Sequence, residues 1–298
     1  MKSSLKDLLD RTIIFQFDLP HDQIEKTKIS TFKDKCFKTS SNSDTSMLIY
    51  NGIVDYALGE HHVDFNNLEE EQVRAIAHHM RYEEEDDDVN KEKYGFYGEV
   101  VLNLMIQKII GSRQLIAKGY FYNPIDRQEA HGFDAYHFYH NPNNNVTSIV
   151  FGEAKFYSNQ SSAVKSAIES ASKSLNVEYL NRNFYAIYNF RDKLELMPDN
   201  IASIFKKIDE NPKLNVYQVL LDNNIKIVYP ILIMCNQTQS NYRDKIISLV
   251  ESVNKYLDKI KPIIGINVFI FFIFIPVDNT KMIKQEVIRW ISERKPLV

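Results

Sequence analysis

Residues Phe133 to Tyr157 narrow the fold of this chain more than any other stretch, because they read as two β-strands around one turn. Phe133-Asp134-Ala135-Tyr136-His137-Phe138-Tyr139 is rich in aromatic residues. The stretch from Val146 to Tyr157 carries Val146, Ile149, Val150, Phe151, Phe156 and Tyr157, types that suit a pleated, largely buried strand. Between them His140-Asn141-Pro142-Asn143-Asn144-Asn145 is a strong turn signal. The two runs predict an antiparallel hairpin, and a third strand of the same meander is expected over Leu115 to Tyr122, ending at Asn123-Pro124.

The hairpin carries chemistry. Along a strand, positions i and i+2 project to one face, so Glu153 and Lys155 stand together while Ala154 points away. A neighbouring strand that sets Asp134 opposite them brings two carboxylates and an ammonium to one place. Hard cations such as Mg²⁺ or Mn²⁺ prefer such oxygens, and Mg²⁺ binds at about 2.0–2.1 Å while keeping several waters. A lysine beside the ion can orient the nucleophile or stabilise the developing negative charge. The set predicts metal-assisted phosphodiester hydrolysis, with Asp134 and Glu153 as metal ligands and Lys155 as the catalytic cation.

Tyr94 to Ile110 reads as a helix that is apolar nearly all round, with Glu99 between Ile106 and Ile110 and a thin polar edge of Asn103 and Gln107. A carboxylate in such surroundings needs a partner. Either Glu99 is a further acid of the metal site or it lies at the solvent-facing seam of the helix. After Lys155, the loop Ser158-Asn159-Gln160-Ser161-Ser162 opens a helix expected from Ser161 to Asn176. Its free N–H groups and dipole attract phosphate, which makes Ser161, Ser162 and Lys165 candidate substrate contacts. N-capping by Ser161 or Ser162 explains the serines equally well.

The order is helix with Glu99, strand, strand with Asp134, strand with Glu153 and Lys155, then a helix. This order and the Glu, Asp, Glu-x-Lys series resemble the PD-(D/E)XK nuclease superfamily over roughly residues 91 to 236. The resemblance implies an α/β restriction-endonuclease-like core, a central mixed β-sheet flanked by helices. It also implies that Asp134 and Glu153 bind metal, that Lys155 is the signature lysine, and that Glu99 is the acid of the first helix. One feature departs from the pattern: Gly132-Phe133 stands where proline would precede the aspartate, while Pro124-Ile125-Asp126 offers a competing acid. Asp134 is the better match because its run reads as a strand leading into the hairpin, whereas Asp126 falls in a turn.

A narrower likeness rests on Tyr94-Gly95-Phe96-Tyr97-Gly98-Glu99, Gly132-Phe133-Asp134-Ala135 and Phe151-Gly152-Glu153-Ala154-Lys155-Phe156, followed by a serine-rich helix. These segments resemble the HamA nuclease family of Hachiman anti-phage defence systems. That likeness implies a DNA substrate and a partner, the superfamily 2 helicase HamB. Two other readings stay open: a nuclease-fold scaffold in which Lys155 is a buried salt-bridge partner of Glu153, and a nuclease acting on RNA.

The net charge of −3 looks wrong for an enzyme that grips phosphates. The run Glu83-Glu84-Glu85-Asp86-Asp87-Asp88 supplies −6 of it, so the other residues sum to −3 − (−6) = +3. Such a run is either a solvated loop or a segment that mimics nucleic acid or docks on a basic surface. It marks the expected boundary between an N-terminal α/β extension, residues 1–90, and a nuclease domain, residues 91–298. Short strands are expected at Thr12 to Phe17 and Met47 to Tyr50, and a helix from Leu68 to Arg81 with Val73, Ile76, Ala77 and Met80 on one side.

Further elements are expected at Asn181 to Leu196, Asn200 to Glu210, Ile225 to Cys235, Tyr242 to Ile260 and Met282 to Arg294. Cys36 and Cys235 have no metal-ligand or redox spacing, and His61-His62 and His78-His79 lack further ligands at zinc spacing. His131 and His137 flank Asp134 and are weaker phosphate contacts. Residues 1–12 are too polar for an export core, and the most apolar run, Val268 to Ile275, suits a buried strand and not a bilayer span. A cytoplasmic protein is expected.

Overall fold

The computed structural model describes the whole chain except residues 60–61, 124, 127, 130–131, 142–145, 195–197, 260–267 and 298. The N-terminal part supplies α1 (Ser3–Thr12), β1 (Ile13–Leu19), β2 (Asp34–Thr39), α2 (Asn42–Leu58), α3 (Leu68–His78), α4 (Asp88–Lys91) and α5 (Phe96–Ile110). Then come β3 (Arg113–Gln114), a 3₁₀ turn (Lys118–Phe121), a small ribbon of β4 (Tyr122–Asn123) and β5 (Gln128–Glu129), and the hairpin β6 (Ala135–Asn141) and β7 (Val146–Phe156). Four helices follow, α6 (Gln160–Ser174), α7 (Val177–Asn189), α8 (Asp199–Glu210) and α9 (Val216–Asp222). The chain closes with β8 (Lys226–Asn236), α10 (Tyr242–Asn254), β9 (Val268–Val277) and α11 (Thr280–Glu293).

A seven-stranded mixed sheet organises these elements in the order β1-β2-β9-β8-β7-β6-β3. The four inner strands β2, β9, β8 and β7 run parallel, while β1 at one edge and β6 at the other side pair antiparallel. Parallel strands covered on both faces read as continuous apolar runs, and β8 and β9 do so: Ile231, Leu232, Ile233, Phe272, Ile273 and Phe274 are all fully buried. Helices α1, α2, α5 and α11 cover the face bearing Val150, Ala154, Phe156, Leu232 and Ile273. Helices α6 to α10 cover the face bearing Ile149, Phe151, Ile231, Ile233 and Phe272. Gly152 lets α5 sit directly on β7, since a Cβ there would stand 2.7 Å from Leu102 Cδ2.

Several expectations need correcting. Met47 to Tyr50 is not a strand but part of α2, whose start is set by Ser41, the hydroxyl of which accepts the Asp44 N–H at 3.0 Å. Leu115 to Tyr122 is not the third strand of the meander: pairing with β6 is made by β3, which ends at Gln114, and by the Leu115 N–H, which donates to the Tyr136 carbonyl at 2.8 Å. The chain then turns through the 3₁₀ segment into β4. On α3 the buried residues are Gln72 and Ala75, and Val73 is 46% exposed, so its apolar side does not simply face inward. Helix α9 lies where no element was expected. The acidic run at 83–88 does not divide the sheet, because β1 and β2 from the N-terminal segment join it directly through β9. The turn over 142–145 lies outside the described residues, as do Pro124, His61 and His131.

Candidate active site at the base of the hairpin

The register of β6 and β7 builds the site. Ala135 pairs with Gly152 and Tyr136 with Phe151. Ladder pairing begins at Ala135, and Asp134 stands one residue before it, close enough to Glu153 for its charge to act on that carboxyl. Asp134 stands just before β6 and not within it: its N–H donates to the Gly152 carbonyl at 2.9 Å. Its Oδ2 accepts the Ala154 N–H at 2.8 Å. Asp134 is thereby tied to the backbone on either side of Glu153, by its N–H at Gly152 and by its carboxylate at Ala154.

Glu153 is 5% exposed, and Lys155 Nζ reaches its Oε1 at 2.5 Å on the same strand face. Burial, and after it the Asp134 charge, push the Glu153 carboxyl above the usual carboxylate range against the pull of Lys155. Burial draws the Lys155 ammonium down, but the Glu153 and Asp134 charges more than reverse this and hold it above its ordinary value. Two acids thus crowd one cation. The Tyr229 hydroxyl points to Glu153 Oε2 from β8 at 3.5 Å, and Ser170 on α6 lies close enough to favour its anion. Sequence reasoning missed both: Tyr229 reaches the site through the parallel β7–β8 register, which leaves no local signal, whereas Ser166, Ser170 and Ser174 do recur at i+4 spacing along α6.

The structure brings Asp134, Glu153 and Lys155 together and sets the other candidates elsewhere. Glu99 is buried on α5, over the opposite face of β7, and accepts a hydrogen bond from the Tyr56 hydroxyl of α2. Asp126 is exposed in the β4–β5 turn, where its Oδ2 accepts from Asn123 Nδ2 at 2.7 Å. Ser161, Ser162 and Lys165 are exposed on the first turns of α6, and neither serine caps the helix; Asn159 does, accepting the Ser162 N–H at 2.9 Å. His137 turns to the α5 side, where Asn103 Oδ1 lies 2.7 Å from Nε2 and Ser112 Oγ 3.2 Å from Nδ1. Burial lowers its pKa to about 3, so it is a neutral core residue.

Among the described residues no three His, Cys, Asp or Glu side chains gather as a metal-holding group. The two acids fit a different demand. Mg²⁺ takes one or two carboxylates and leaves its remaining positions to water and substrate phosphate. A buried carboxylate, Glu153, beside the partly buried Asp134 offers only oxygen donors and suits such an ion, and Mn²⁺ accepts the same ligands.

A family model for HamA matches residues 6–291, nearly the whole chain. The chain belongs to the HamA family. It is therefore a Hachiman-type defence component by family. No curated relative matches the sequence. Among the described residues of this HamA-family chain, no helix is long and apolar enough to cross a membrane.

Proposed function

We propose that this HamA-family protein is a metal-dependent nuclease with a PD-(D/E)XK-type core that hydrolyses DNA phosphodiester bonds. One observation carries the reading: Asp134, Glu153 and Lys155 meet at the base of one hairpin, on the face of β7 turned away from α5. Asp134 and Glu153 would hold Mg²⁺ or Mn²⁺. Such an ion supplies Lewis acidity towards a phosphoryl oxygen and lowers the pKa of water. Glu153 is held in place by Lys155 at Oε1 and by the Tyr229 hydroxyl at Oε2. Lys155, fully protonated in this company, faces the space where negative charge develops on an attacked phosphate, and a fixed cation in a partly dry site stabilises that charge more than water does. Were an ion to take up both carboxylates, the Lys155 ammonium would be left to pair with the phosphate.

The direct Lys155–Glu153 pair also favours a second reading, a scaffold whose ion pair only holds the hairpin. Incubation with Mg²⁺ on duplex DNA, single-stranded DNA and RNA separates the two. The nuclease reading expects cleavage that chelation stops and that Glu153→Gln and Lys155→Met abolish; an inert, folded wild-type protein on all three substrates supports the scaffold.

The family suggests a controlled effector, and we propose that its partner is a superfamily 2 helicase of the HamB kind. The charge distribution supports such control, since six acids in a row at 83–88 discourage unaided binding to DNA. Co-purification from the native operon tests it. A chain that elutes alone and degrades DNA at full rate at physiological salt contradicts it.

A further inference from the structure

Asp134 precedes β6, so strand pairing alone does not hold the segment that carries it. Both backbone polar groups of the preceding residue, Phe133, are instead taken by buried side chains. The Phe133 N–H donates to the Tyr136 hydroxyl at 2.9 Å, and the Phe133 carbonyl accepts from Lys118 Nζ at 2.7 Å. The Tyr136 hydroxyl in turn donates to Asn183 Oδ1 at 2.7 Å, and Asn183 Nδ2 donates to the Tyr179 carbonyl at 2.9 Å, fixing the amide on α7. Tyr136, Asn183 and Lys118 are 2%, 4% and 4% exposed, so water does not compete for these bonds. The chain passes tightly over them: a Cβ on Gly132 would stand 2.2 Å from Tyr136 Oη and 3.0 Å from Asn183 Oδ1. The Phe133 ring lies flat on Phe151, two residues before Glu153, with centroids 4.3 Å apart.

We propose that Lys118, Tyr136 and Asn183 are positioning residues that clamp the Gly132–Asp134 segment, setting the Asp134 carboxylate against Glu153 for a divalent ion. The proposal rests on the metal-dependent reading above. None of the three residues is placed to ligate the ion; they act through the Phe133 peptide. The geometry explains why glycine stands before Phe133 in this chain, since any side chain there would break the Tyr136–Asn183 bond. A carboxylate ligand must be held to within about 0.5 Å of its working position. Groups that hold a ligand in this way are each worth about 10–100-fold in metal affinity or activity.

Tyr136→Phe removes one hydroxyl and keeps the ring, and the full-length protein is titrated with Mn²⁺ by calorimetry. The Mg²⁺ concentration for half-maximal DNA cleavage and the Tm are measured beside it. The clamp expects Mn²⁺ affinity to fall about 10-fold or more, with half-maximal Mg²⁺ rising in step and the rate at saturating Mg²⁺ falling much less. Lys118→Met should behave likewise, and Lys118→Arg should recover most of the affinity. Unchanged Mn²⁺ affinity in a folded Tyr136→Phe protein, with only Tm lowered, overturns the clamp while leaving the nuclease reading intact. If both Tyr136→Phe and Lys118→Met are unfolded at the assay temperature, the residues serve folding and the proposal falls. A folded wild-type protein that binds no Mn²⁺ and cleaves nothing overturns the metal-dependent reading itself.

Discussion

Two buried acids, Asp34 on β2 and Glu153 on β7, share a raised pKa and differ in everything that surrounds them. Burial raises both. Asp34 is then met by donors alone: the backbone N–H groups of Thr27 and Phe272, each at 2.8 Å, and the Ser30 hydroxyl. Those bonds tie the loop before β2 to β9, and Asp34 is fully enclosed. Glu153 is met by a like charge, a cation and a phenol. A buried carboxylate surrounded by amide donors serves as a structural staple. One set against another carboxylate beside a lysine holds charge that the fold has not neutralised, which is the usual condition of a working site.

That contrast can be broken in several ways. The largest effect belongs to Glu153→Gln, which should lower Mg²⁺-dependent DNA cleavage about 10³-fold, or about 4 kcal/mol, in a single-turnover assay. Its Tm should stay within a few degrees of wild type, because burial already disfavours the charged form. Asp34→Asn should reverse the pattern. Placing an amide N–H₂ group among backbone donors should cost about 3 kcal/mol of stability by urea unfolding, while the protein that remains folded cleaves normally.

The comparison extends to His137, also buried but neutral, whose folded pKa near 3 lies below its ordinary value of 6.5. Its contribution to stability is therefore present above about pH 6.5 and is lost as pH falls towards 3. Between about pH 6.5 and pH 5 this amounts to about 2 kcal/mol. His137→Asn should flatten the dependence of Tm on pH over that range; an unchanged slope would show that the proton uptake belongs to another group. The smallest effect is expected at Asp126, exposed in its turn. Asp126→Ala should change stability by less than about 0.5 kcal/mol and leave cleavage untouched, whereas loss of cleavage would move the first metal acid from Asp134 to Asp126.

The hairpin and its three charged residues were legible in the sequence because strand alternation and turn chemistry are local properties, and Glu153 and Lys155 need only two-residue spacing to meet. The apolar strands β8 and β9 were legible for a different reason, since their runs are rich in β-branched and aromatic residues. Met47 to Tyr50 misled because a short apolar run is ambiguous when the cap that decides it, Ser41, lies several residues upstream. Asp134 was assigned to a strand that begins one residue later, and the partners of its segment, Lys118 and Asn183, lie 15 and 47 residues from the groups they reach. The partner of Glu99 was equally hidden, since the phenol that meets it comes from α2. No pattern within one segment can announce such contacts.

The claim that the Glu153 face is a working metal site is tested most directly by single-turnover cleavage of duplex DNA, with and without Mg²⁺. Wild type, Glu153→Gln and Lys155→Met are compared, and the Tm of each is recorded in the same buffer. The account predicts Mg²⁺-dependent cleavage by wild type, loss of it in both variants, and melting close to wild type in Glu153→Gln. Cleavage at the wild-type rate by a folded Lys155→Met or Glu153→Gln protein would contradict it.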